Sequence, residues 1–427
     1  MNQTFEPLAR IDGKLRVPGD KSISHRALIA AAFTNGPCRI RGAATGEDVA
    51  STRRCLGALG FESSNHADNE IVVTGNGWNL SAEADLDAGN SGTTMRLLAG
   101  AVAGSMGRYR IGGDQSLVRR PMARIAAPLR LMGATLNLSK GDVAPIEIQG
   151  GQLRGIEYHL PVPSAQVKGA ILLAGIQAEG ITTIVESQPC RDHTERMLAW
   201  LGADIAVGDG QTVLSGPGAL PKNDGFEIAV PGDFSSAAYF LTAACLAKKS
   251  RVEVTGVGLN PGRTGLLDIL RAMGANVVEV IDETDPEPRG RSYADSAELR
   301  STEIGGDLIP RSIDELPLAA LAATQATGTT VIRDAAELRL KESDRIGVLA
   351  KGLRTLGASV EDVPDGLIIE GPTPLTGGSV DSHGDHRIAL TFAVAATVAA
   401  GPISIRGWEC TSISYPGFEQ DLRKVAL

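Results

Sequence analysis

Lys21, Ser22, Ser24, His25 and Arg26 stand directly before an apolar run in the stretch PGDKSISHRALIAAAF. A capping Asp or Ser would explain the polar start of a buried helix. It does not explain cations there, because the positive end of the helix dipole disfavours them by about 0.3 to 1 kcal/mol. The mismatch recurs at Arg96 in NSGTTMRLL, Lys168 in SAQVKGAIL and Arg387 in DHRIAL, and again in LVRRPMAR, CRDHTER and LKESDRIG. Backbone N–H groups, serine hydroxyls and arginine forks together make sites for phosphate or carboxylate. The pattern therefore predicts an anion-binding region built from helix starts, although single members such as Arg54 and Arg196 also fit ordinary surface ion pairs. Two carboxylates fall in the same pattern, Asp314 in SIDELP and Glu342 in LKESDR. Held near cations, such a group stays ionised and can accept a proton; in a drier spot it can deliver one. Structural roles fit them as well, an N-cap for Asp314 and a capping box or ion pair for Glu342.

The elements that must position these residues repeat. GALGF, RLMGATL, AWLGADI, RAMGANV and RTLGASV place Gly60, Gly133, Gly202, Gly274 and Gly357 at the ends of amphipathic helices, each followed by a strand. A second, alanine-rich helix type alternates with them, opening at Asp20, Asn90, Ser164, Asp233, Asp314 and Asp385. The spacing defines six units of roughly 70 residues, too rich in elements for solenoid coils and better suited to two compact lobes of three units each. A helix apolar nearly all round belongs inside a lobe.

Composition narrows the function. A net charge of −9 and no long Lys/Arg run argue against a nucleic-acid surface. Cys38, Cys55, Cys190, Cys245 and Cys410 form an odd set without a CxxC pair, as in a reduced cytoplasmic protein. No segment reads as a signal peptide or membrane span. SHGDHR lacks zinc-site spacing, and Walker, GxGxxG and GxSxG motifs are missing from the sequence.

PGDKSISHR, GNSGTTMR, RRPM, PSAQVKGAILLAG, RDHTE, PGDFSSAAYF, NPGRTG, IDELP, LKESDRI and GDHRIAL, in this order along essentially the whole chain, closely resemble the 5-enolpyruvylshikimate-3-phosphate synthases, class II more than class I. The resemblance implies an α/β fold, the two-lobe inverse α/β barrel of the enolpyruvyl transferases, from six β-α-β-α-β-β units. One lobe would be discontinuous, residues 1–18 with 232–427; the other would be residues 19–231. It further implies transfer of the carboxyvinyl group of phosphoenolpyruvate to the 5-hydroxyl of shikimate 3-phosphate, with release of phosphate. No cofactor or metal is expected, nor any nucleic-acid or membrane partner; the expected state is a cytoplasmic monomer, inhibited by glyphosate.

By the same resemblance, Asp314, Glu342 and Lys21 would be catalytic. Lys21, Ser22, Arg26, Ser164, Ala165, Gln166, Arg191, Asp314 and Lys341 would bind shikimate 3-phosphate. Lys21, Gly92, Arg120, Gln166, Arg345 and Arg387 would bind phosphoenolpyruvate. The chain departs from class I at three places: Ile413 replaces a lysine, Ser164-Ala165 a double serine, and Arg191 has no class I counterpart. Two rival readings are a UDP-N-acetylglucosamine enolpyruvyl transferase and a non-catalytic anion-binding homologue. The first usually has Lys-Asn where Lys21-Ser22 stand and a cysteine in the loop GGDQSLVRRP, which has none.

Overall fold

A computed structural model of the chain describes residues 1–66, 69–218, 220 and 224–427. Two compact units emerge, one of Met1–Pro18 with Pro231–Leu427 and one of Gly19–Val230, so that Pro231 belongs to the discontinuous unit.

One repeat shows how the pattern becomes structure. Strand Glu83–Asp87 leads into helix Gly92–Ala103, strand Arg108–Gly112, helix Ala123–Leu131 and the antiparallel pair Thr135–Ser139 and Val143–Gln149. The first two strands pair in parallel across the apolar helix, and Val143–Gln149 pairs antiparallel with both Arg108–Gly112 and Thr135–Ser139. Parallel neighbours need such a crossover, and its helix must start at the carboxyl end of the first strand. That end is where open α/β sheets bind ligands.

Among the described residues there are six sheets, five of four strands and one of three, each a separate hydrogen-bonded set. The chain returns to complete them. Glu227–Ala229 supplies the parallel edge beside Pro37–Arg41 in the continuous unit, and Asp12–Leu15 does the same beside Arg251–Gly258 in the other.

The six alanine-rich helices, Lys21–Ala32, Gly92–Ala103, Ala165–Gly175, Phe234–Leu246, Leu316–Ala323 and His386–Ala395, are buried along nearly their whole length. Each unit has its own apolar core around three of them. The glycines read as helix terminators, Gly60, Gly133, Gly202, Gly274 and Gly357, all have φ between +90° and +112°, the left-handed region that glycine enters without cost.

Small residues let buried helices approach closely. A Cβ at Gly100 would lie 2.1 Å from the Ala170 carbonyl oxygen on the neighbouring helix, whereas one at Gly57 would meet nothing within 4 Å. Gly100→Ala should therefore destabilise the continuous unit by about 1–3 kcal/mol, and Gly57→Ala should be neutral or slightly stabilising. Urea unfolding of the two variants tests this; equal midpoints would show that the helices do not need their close approach.

Candidate active site

In the continuous unit the start of helix Lys21–Ala32 is capped by Asp20, whose carboxylate accepts from the Ile23 N–H at 2.9 Å. Lys21, on the first turn, donates to Asp48 at 2.8 Å. Arg26 is 5% exposed; its Nε donates to Thr194 Oγ1 at 2.7 Å and its Nη1 to the Ser22 carbonyl at 3.0 Å. The guanidinium is thus braced by two elements while Ser22 stays half-buried beside it.

Helix Gly92–Ala103 begins in the NSGTT turn, with Ser91 as its cap. Arg96 donates to Gln166 Oε1 at 2.6 Å, and Gln166 Nε2 donates to Thr93 at 3.0 Å, which fixes the amide of Gln166. Ser164 caps the helix that starts at Ala165. Arg120 donates to Asn90 at 2.7 Å. A Cβ at Gly92 would come within 2.6 Å of Arg96 and 3.4 Å of Arg120, so the glycine leaves room for two guanidinium groups.

In the discontinuous unit Arg345 is 1% exposed and meets three carboxylates: Asp385 at 2.8 Å, Asp314 at 3.3 Å and Glu342 at 2.5 Å. Its five-donor fork can serve several acceptors at once, which a lysine cannot. Arg387 Nε lies 3.3 Å from Asp314, and Arg263 lies 3.7 Å from it. Burial opposes both Arg345 and Arg387 cations, but Asp385 and Glu342 on the first, and Asp314 and Glu315 on the second, outweigh it and raise their pKa values. Behind this cluster, Glu315 accepts from Ser235, which also accepts from Arg263 at 2.8 Å. Lys341, next to Glu342, is half-buried.

Several readings of single residues change. Asp314 is not an N-cap: the helix begins beyond it at Leu316, and its carboxylate faces arginines. Glu342 is not a capping residue either, since Asp344 caps the helix from Arg345 and Glu342 pairs with Arg345. Ser91, not Asn90, caps its helix. Lys168, grouped with the anion-binding cations, is 2% exposed and committed to Glu186 and Glu195. Arg54 and Arg196 are ordinary ion pairs, with Glu47 and Asp192. Ile413 packs on the apolar core of its unit. Arg191 is half-buried in the loop after Glu186. Asp48, Thr194 and Glu315 were missed, because an isolated Asp, Thr or Glu carries no signal until its partner is known; Arg263 lay within the NPGRTG motif. The buried thiols of Cys55 and Cys245 are pushed up to about 12 by burial, which leaves them unreactive.

The family model for EPSP synthase (3-phosphoshikimate 1-carboxyvinyltransferase) matches residues 5–422. A 3-phosphoshikimate 1-carboxyvinyltransferase of Synechococcus sp. is 48% identical over 427 residues, covering 99% of this chain and 96% of that protein. The structure of EPSP synthase from Acinetobacter baumannii superposes with a TM-score of 0.88 at 40% identity, covering 100% of this chain and 98% of the other. The enolpyruvyl transferase NikO from Streptomyces tendae shares the fold, with a TM-score of 0.80 at 20% identity over 99% of this chain and 96% of its own.

His25 lies among these groups, yet it is fully buried, and its Nδ1 is 2.7 Å from Thr52 Oγ1. Burial pushes its pKa down to about 3, Asp48 opposing and Lys21 and Arg26 reinforcing. An unfolded histidine protonates near 6.5, so the unfolded chain binds the extra proton between these values. The stability is whole above about pH 6.5 and is withdrawn as pH falls towards 3. Ring-proton NMR should show His25 neutral at pH 5; a midpoint near 6.5 would contradict the assignment.

Proposed function

We infer that this chain, which belongs to the EPSP synthase family, transfers the carboxyvinyl group of phosphoenolpyruvate to the 5-hydroxyl of shikimate 3-phosphate and releases phosphate, a step of aromatic amino-acid biosynthesis. The reaction joins two anions, so it needs cations for binding and carboxylates for proton transfer. The observation that carries the residue assignment is the cluster in which Arg345 and Arg387 each lie 3.3 Å from Asp314 while Glu342 holds the same Arg345. Anion-binding and proton-transfer groups are thus in direct contact.

In this reading Lys21, Ser22, Arg26, Ser164, Ala165, Gln166, Arg191, Asp314 and Lys341 hold shikimate 3-phosphate, and Lys21, Gly92, Arg120, Gln166, Arg345 and Arg387 hold phosphoenolpyruvate. Asp314 accepts the proton of the 5-hydroxyl as its oxygen bonds to C2 of phosphoenolpyruvate. Lys21 and Glu342 manage the proton that C3 gains, which makes C2 electrophilic. The tetrahedral intermediate then loses a proton from C3, the bond from C2 to the phosphate oxygen breaks, and phosphate leaves. When the carboxylate and phosphate of phosphoenolpyruvate draw the guanidinium groups of Arg345 and Arg387 to themselves, the oxygens of Asp314 that face those groups become open to the 5-hydroxyl.

Purified protein should release phosphate from phosphoenolpyruvate with shikimate 3-phosphate and not with UDP-N-acetylglucosamine; the reverse result would overturn the acceptor assignment. Asp314→Asn should lower kcat by about 10²–10⁴-fold and change either KM only a few-fold. Equal losses in kcat and in binding would remove Asp314 as the base. Gly92→Ala should displace Arg96 and Arg120 and raise the KM for phosphoenolpyruvate and the inhibition constant for glyphosate together. A change in neither would show that this turn does not line the phosphoenolpyruvate site.

A further inference from the structure

One deeply buried ion cluster of the continuous unit has no role in the chemistry above. Lys168 is 2% exposed, and its ammonium lies 2.7 Å from Glu186 and 2.5 Å from Glu195, themselves 9% and 2% exposed. Burial opposes the charge on Lys168, and Glu195, Cys190 and Glu186 outweigh it, so its pKa is raised. Burying three charges is costly and rarely adds stability over apolar side chains of the same size, so the arrangement calls for a positional reason.

Its connections supply one. Glu186 directly follows the strand Gly180–Val185, and its second oxygen, Oε1, accepts from the Cys190 N–H at 3.2 Å. Arg191 is the next residue, before helix His193–Leu201 begins. Glu195 is on that helix beside Thr194, whose hydroxyl accepts from Arg26 Nε at 2.7 Å. Gly169, next to Lys168, keeps this junction open: a Cβ there would lie 2.8 Å from Thr194 Oγ1 and 3.5 Å from Arg26 Nη2. One ammonium therefore ties together the backbone that carries Arg191 and the hydroxyl that braces Arg26.

We propose that Lys168, with Glu186 and Glu195, is a positioning residue for the acceptor: the clamp sets Arg26 and Arg191 at the spacing that recognises the 3-phosphate of shikimate 3-phosphate. The inference rests on the reading of these two arginines as acceptor contacts. It assigns no contact between Lys168 and substrate.

Glu186→Gln is the discriminating variant. It keeps the size of the side chain and leaves Lys168 and Glu195 as a charge-balanced pair, so the fold is retained. Its amide has one acceptor oxygen, and both the Lys168 ammonium and the Cys190 N–H are donors, so one of the two tethers must break. Steady-state kinetics with each substrate varied should show the KM for shikimate 3-phosphate raised about tenfold, in the range a small misplacement of a binding group produces. The KM for phosphoenolpyruvate and kcat should stay within about twofold. Glu186→Gln combined with Arg191→Ala should raise that KM by less than the product of the two single fold-changes, because the two act in part through the same arginine. If Arg191→Ala raises that KM and Glu186→Gln does not, the clamp has no positioning role and the acceptor reading survives. If Arg191→Ala has no effect, the acceptor reading of Arg191 fails and the proposal with it. A uniform loss in kcat and both KM values would mean a purely structural role.

Discussion

A guanidinium taken out of water must keep its charge compensated, and in this protein the compensating carboxylates include Asp314 and Glu342, the two groups proposed to transfer protons. Arg345, almost wholly buried, is shared by Asp385, Asp314 and Glu342. Replacing the arginine would leave the buried carboxylate of Asp385 without its guanidinium, at a cost of about 3–5 kcal/mol. The buried arginine therefore carries its own counter-ions, and on the proposed function a substrate anion would bind by exchange with them.

The same logic governs the continuous unit with different partners. Lys21 is held by Asp48, Arg26 by Thr194 and the Ser22 carbonyl, and Arg120 by Asn90. Of these partners only Asp48 is a carboxylate, whereas Arg345 meets three. The deep compensation is set further back, at Lys168 with its two carboxylates.

Both arrangements depend on the mount behind them. Six helices rich in alanine and glycine are buried nearly all round, and their small side chains allow backbone contacts such as that of Gly100 with Ala170. A close-packed interior resists displacement, so groups on the first turn of each helix are held to a fixed geometry. Parallel pairing of the flanking strands then forces the helix starts to the carboxyl ends of those strands. Apolar scaffold and polar chemistry are in this way two ends of the same helices at Lys21, Arg26, Gly92, Gln166 and Arg387.

The repeat, the two helix types and the concentration of cations at helix starts were legible in the sequence because each is a local property. Period and polarity are read along the chain, and glycine in the left-handed region is demanded by the helix terminus itself, as Gly202 and Gly357 show. Family motifs such as PSAQVK and IDELP likewise run along the chain. Which cation meets which carboxylate is not local. Asp314 could pass for a helix cap and Lys168 for an anion ligand until residues far apart in the chain were brought together. Glu195 and Lys168 are both ordinary surface residues by type, and only burial on two packed helices turns them into an ion pair. The sequence by itself determined the elements and their polarity, because these follow from neighbours along the chain. The tertiary structure alone decided the charge partners, because an ion pair depends on distance and burial, which are properties of the packed chain.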